Sequence, residues 1–169
     1  CIYYEAFEDS KWTIYTYDYE LNPIAQLKPS TETLPHVTAD GKRGYYVSDK
    51  KIYVLNGENQ VEREVLSKAN YLANYVSGVV TDENGNDFVI FYAMAADYKD
   101  YTFILDVSSG EVLRVFKNTK GYFDVTKNTY VESYITYFYP DRWLLGVSKE
   151  KAYDFSWTGV EAELSPYTL

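Results

Sequence analysis

The sequence predicts an all-β fold, a β-propeller or propeller segment of about four blades built from antiparallel four-stranded meanders, and three observations predict it. Apolar runs of four to six residues, rich in Tyr, Val and Ile and bounded by Gly, Asn or Asp, recur along the chain and favour strands over helices. These runs group into a unit that returns. Aligning the last hairpin of each unit on Leu27, Leu66, Phe116 and Leu164 gives spacings of 39, 50 and 48 residues, a period expected of propeller blades.

Taken in order, residues 1–7 read as a strand, Glu8-Asp9-Ser10-Lys11 as its turn, and 12–19 as a second strand that alternates apolar and polar residues. A turn at Leu21-Asn22-Pro23 then leads into Ile24-Ala25-Gln26-Leu27, so the first unit has three strands where the later ones have four. Either a strand from elsewhere completes this blade, or the chain belongs to a larger ring, which two associating chains would also form. The clearest unit opens at Asp40-Gly41-Lys42 and continues through Tyr45-Tyr46-Val47, Lys51-Ile52-Tyr53-Val54-Leu55, the turn Asn56-Gly57-Glu58 and a strand over 61–66. The next opens at Asp82-Glu83-Asn84-Gly85-Asn86 and runs through strands over 88–92, 101–105 and 111–116. The last leads from Tyr139-Pro140-Asp141 through strands over 143–147, 151–155 and 160–164. Blades over residues 1–29, 30–67, 68–118 and 119–169 follow, within one domain.

The stretch Thr38-Ala39-Asp40-Gly41-Lys42-Arg43 before Tyr45-Tyr46-Val47-Ser48 resembles the first hairpin of TolB-like and YVTN-type blades. Residues 103–116 are similar to a quinoprotein-like repeat, with Ile104 where that family usually has a small residue and Arg114 where it has Trp. The resemblance is to bacterial β-propeller repeat proteins at the level of architecture.

Composition narrows the function. Twenty Tyr, eight Phe and three Trp bring aromatic content to 18%. Tyr suits half-buried sheet positions, because its ring packs while its hydroxyl reaches water. Twenty-five acids against sixteen bases leave a net charge of −9, which repels phosphate backbones and anionic lipid surfaces, so neither nucleic acid nor a bare membrane surface is the expected partner. No apolar run approaches the roughly 20 residues of a membrane-spanning helix. The single cysteine, Cys1, rules out an intramolecular disulfide and carries three readings: the acylated first residue of a bacterial lipoprotein, an N-terminal nucleophile, or the place where the chain happens to begin. The expected compartment is extracytoplasmic, at the cell surface or in the periplasm, with a lipid anchor at Cys1 as one option and the cytoplasm still open.

No motif announces catalysis. His36 is the only histidine, too few for a multi-histidine metal site, and no Gly-x-Ser-x-Gly elbow supplies a nucleophile for it. A structural histidine at a loop edge is the better reading. Residues 82–87 superficially follow a calcium loop, but Asp87 stands where the loop needs Gly and Ala93 where it needs a bidentate Glu, so Asn84-Gly85 reads as a hairpin turn. Phosphate-cradling glycine motifs and the Asp-box are also missing, and no cofactor or metal is expected.

In a four-stranded meander, the loop entering a blade and the loop between its second and third strands share one end of the ring. Here these are 28–36, 48–51, 67–75, 93–100, 117–128 and 148–151, the longer loops of the chain. His36, Tyr71, Tyr75, Tyr98, Tyr122 and Asp124 fall on that end and are the candidate ligand-binding residues. A non-enzymatic binding or scaffold domain for a protein or peptide is expected. The alternative is a glycan-binding module for cell-wall or other polysaccharide, or a degenerate propeller hydrolase, since tyrosine rings stack on sugars.

Overall fold

Strand pairing in this computed structural model follows the turn chemistry written in the chain. It describes residues 1–66, 71–96, 98 and 102–112, together with the backbone of residues 100–101 and 113–117 and of six later strands, and none of the described residues is helical. The first sheet has the order β1 (Ile2–Glu8), β2 (Lys11–Tyr17), β3 (Pro23–Leu27). The second runs β4 (His36–Val37), β5 (Arg43–Ser48), β6 (Lys51–Asn56), β7 (Glu62–Glu64). The third runs β8 (Leu72–Thr81), β9 (Asp87–Met94), β10 (Asp100–Asp106), β11 (Val112–Lys117). A two-stranded ribbon, β12 (Tyr122–Asp124) with β13 (Thr129–Val131), precedes a fourth sheet of β14 (Ile135–Phe138), β15 (Arg142–Gly146), β16 (Ala152–Ser156) and β17 (Ser165–Tyr167). Every pairing is antiparallel between consecutive strands, so each sheet is a meander.

Two kinds of turn close the hairpins. Asp9-Ser10 and Asp49-Lys50 carry positive φ at both central positions, the two-residue geometry whose twist matches that of the flanking strands. Elsewhere an Asp or Asn folds its own loop. Asp82 accepts the amides of Asn84 and Asn86 on one carboxylate oxygen, at 2.9 and 2.8 Å. Asp18 does the same for Glu20 and Asn22, at 3.0 and 2.8 Å. The residue three places on turns left-handed in both, Gly85 at φ 81° and Leu21 at φ 67°. Asn56 and Asp106 anchor a version one residue longer, with Gln60 and Gly110 in the left-handed position.

The first three sheets pack face to face through their alternate side chains. Ile14 and Leu27 of the first sheet meet Tyr46 and Leu55 of the second. On the other side Tyr45, Ile52 and Val54 meet Val76, Val89, Phe91, Phe103 and Leu105 of the third. Burying each such Leu, Ile or Phe contributes about 1.5–3 kcal/mol. Close approach explains Gly57, where a Cβ would lie 2.6 Å from that of Ala25 across the first interface. Cross-strand ring pairs reinforce the faces, Tyr46 on Tyr53 at 5.6 Å and Phe91 on Phe103 at 5.4 Å.

Three differences from the sequence reading concern elements. The strand β8 occupies residues read as loop up to 75, and the ribbon β12–β13 places Tyr122 and Asp124 on a strand where a loop was expected. Bulges at Ala73/Tyr75 and Val76/Gly78 break the period of two in β8, which hid it. The expected last strand over 160–164 lies outside the described residues, and the fourth sheet closes instead with Ser165–Tyr167.

Candidate functional site

Register brings several of the expected binding residues to one end of the sheets. Leu72, at the start of β8, pairs with Met94, at the end of β9, so the turn carrying Tyr98 lies beside the entry to the third sheet. The Asp49-Lys50 turn joins them, because the Ala73 amide donates to the Lys50 carbonyl at 3.1 Å and the Lys50 ammonium to Asn74 Oδ1 at 3.0 Å. Tyr98, at positive φ, is 84% exposed. Tyr75 is 53% exposed and stacks on Tyr92 at 5.3 Å. Tyr71 is half-buried, edge-on against Phe103 at 4.8 Å.

The other expected residues stand apart from this group. His36 sits on β4 opposite Tyr45, and among the described residues no hydrogen bond or ring contact joins it to the three tyrosines. Desolvation lowers its imidazole pKa, and the nearby Glu5 carboxylate pulls the other way. The side chains of Tyr122 and Asp124 lie outside the described residues. At Cys1 the terminal amine donates to the Ala39 carbonyl at 2.9 Å, and the thiol is 3.8 Å from the Thr38 carbonyl.

The opposite end holds a site that the sequence reading missed. Between the second and third sheets, at the end bearing the Asx turns, lies a cleft of about 530 Å³ whose floor is Asp87, 5% exposed. All four hydrogen bonds that this carboxylate accepts are made. Arg43 Nε and Thr81 Oγ1 each donate at 2.7 Å, Tyr45 Oη at 2.5 Å and Arg43 Nη2 at 3.2 Å. Arg43 also reaches Asp40 at 3.4 Å. Hydrogen bonding to Asp87 raises the Arg43 pKa, and burial followed by the same carboxylate raises that of Tyr45 well above the ordinary phenol. With two donors on each oxygen the carboxylate is fully hydrogen-bonded, and the network locks two sheets together. The calcium-like stretch 82–87 is thereby accounted for: Asp82 anchors the turn, and Asp87 faces inward to its donors. Among the described residues no group of three or more metal-ligating side chains converges.

A signal for this latch existed in the repeat. Arg43 follows Asp40-Gly41-Lys42 as Asp87 follows Asn84-Gly85-Asn86, so equivalent positions of consecutive units carry opposite charges.

No family model and no curated protein matches the sequence. Solved structures do. A putative TolB from Agrobacterium tumefaciens superposes with a TM-score of 0.51 at 12% identity, over 92% of this chain and 60% of that one. TolB from Acinetobacter baumannii gives a TM-score of 0.51 at 18% identity, over 94% of this chain and 37% of that one. The chain thus spans about three fifths of the first structure and little more than a third of the second. Meander sheets stacked face to face, aspartate-anchored turns and these superpositions together give the chain a TolB-like, all-β propeller architecture, of which it forms a segment.

Proposed function

We propose that this chain is a non-enzymatic binding segment of a bacterial extracytoplasmic propeller, engaging a protein or peptide through the end that carries Tyr71, Leu72, Tyr75 and Tyr98. The observation that carries the reading is the exposure there of large apolar side chains, Leu72, Tyr75 and Tyr98, on a rigid sheet scaffold. Tyrosine supplies wide, stiff contact area at low entropic cost, which is why it anchors protein interfaces. His36, Tyr122 and Asp124 are proposed as flanking members. The non-enzymatic part is supported by the saturated Asp87 carboxylate and by the position of His36, whose imidazole has no hydrogen-bonded partner among the described residues. Likeness to bacterial TolB structures supports the compartment.

Screening the purified chain against a displayed peptide library and a glycan array tests this. A peptide ligand whose Kd rises about tenfold in both Tyr75→Ala and Tyr98→Ala is expected, as for truncated interface anchors. Binding confined to glycans, or peptide binding that neither substitution changes, overturns the reading.

A further inference from the structure

The cleft at the other end has walls as well as a floor, and their chemistry is selective. Strand β7 alternates, so Glu62 turns toward the first sheet, where it accepts the Ser30 amide at 2.6 Å, and Arg63 turns the opposite way, into the cleft. Glu64 lies 4.0 Å from Lys51. Arg43 is neutralised by Asp87 and Asp40, and among the described residues the Arg63 guanidinium makes no ion pair or hydrogen bond. It is therefore the unbalanced charge of the cleft, a cation in a chain of net charge −9.

Two asparagines flank it in a fixed sense. Asn56 Oδ1 accepts the Glu58 amide at 2.9 Å and Asn59 Oδ1 accepts the Val61 amide at 3.0 Å. Each side-chain oxygen being engaged by its own turn, the two Nδ2 groups remain as donors beside Arg63. Across the cleft Asn86 is reversed: its Nδ2 donates to Asp82 at 3.2 Å, which leaves Oδ1 as an acceptor. Donors and a guanidinium on one wall with an amide acceptor on the other match a carboxylate attached to a backbone N–H. Among the described residues no exposed ring lines the cleft for a sugar to stack on, since Tyr45, at the floor, is buried.

We propose that this cleft between the second and third sheets binds an acidic peptide segment, with one Asp or Glu side chain on Arg63 and the amides of Asn56 and Asn59, and a peptide N–H on Asn86. Its volume, about 530 Å³, suits one or two residues. The site is separate from the tyrosine-bearing end, and neither depends on the other. A chain this acidic repels anionic peptides at large, so such binding has to be local.

Titration of the isotope-labelled chain with capped tetraglutamate, capped tetraglutamine, inorganic phosphate and glucuronate, read by NMR and calorimetry, tests it. Expected is tetraglutamate binding at least tenfold tighter than the other three, with shifts at the side-chain amides of Asn56 and Asn59. Arg63→Ala weakens that binding at least fivefold, Arg63→Lys restores part of it, and Tyr98→Ala leaves it unchanged. Failure of tetraglutamate to bind, equal binding of tetraglutamine or phosphate, tighter binding of glucuronate, or indifference to Arg63→Ala overturns the proposal.

Discussion

Asp87 shows how much one carboxylate can settle. Its four hydrogen bonds come from three residues on β5 and β8, and tie those strands to β9, which carries Asp87, at a single buried point. Asp87→Asn removes the charge and turns an NH2 toward the Arg43 guanidinium, which only donates. Breaking a buried pair costs about 3–5 kcal/mol. Arg43 keeps Asp40 and is 25% exposed, so the expected loss is about 2–3 kcal/mol. Tyr45→Phe, which deletes one charge-assisted hydrogen bond, should cost about 1.5 kcal/mol. Urea denaturation of both variants measures this, and midpoints indistinguishable from the parent's would remove the latch. Residues 82–87 were legible in the sequence as a turn because Asn-Gly is a local signal. The partnership of Asp87 with Arg43 was not, because 44 residues separate them and only folding brings the two units together.

At the scale of elements, the Asx turns do the work of register. Each fixes where one strand stops and the next begins, by hydrogen bonds within five residues or fewer. Left-handed backbone is natural for Gly85 and Gly110 and costly for Leu21, where the β-carbon crowds the following carbonyl. Leu21 is 67% exposed and loses little packing when replaced. Leu21→Gly should therefore raise stability by about 1 kcal/mol, read as a higher melting temperature, and a lower one would refute the strain. Hairpins with such local signals, β2–β3, β6–β7 and β10–β11 among them, were readable from the chain. The strand β8 was not: its bulged face buries Ala73, Val76 and Val80, a spacing of three and four that matches no simple alternation. Tyr98 lies between β9 and β10, within the stretch 93–100 read as loop. Tyr75 was read as loop yet belongs to β8.

Across the whole molecule, tyrosines couple packing to pH. Burial raises the pKa of Tyr45 and Tyr46, helped by Asp87 for the first and by Glu62 for the second. An unfolded tyrosine ionises near about 10. With folded values above that, the stability these two groups confer is complete below pH 10 and declines as pH rises beyond it. Tyr4 and Tyr15 are raised as well but lie open to solvent, so they add nothing to this balance. Alkaline titration followed at 295 nm should then show two phases. Exposed tyrosines ionise first, and the later phase coincides with loss of the far-ultraviolet dichroism; a single phase with the strands still intact contradicts it. Strand β9 begins in the acid-receptive cleft at Asp87 and finishes at Met94 beside the Tyr98 turn. Eight residues of extended chain measure roughly 23 Å from first to last Cα. A guest at either end would be kept that far from the other by a stiff spacer, so the segment would work as a fixed-length coupler that carries two cargoes at once without their colliding.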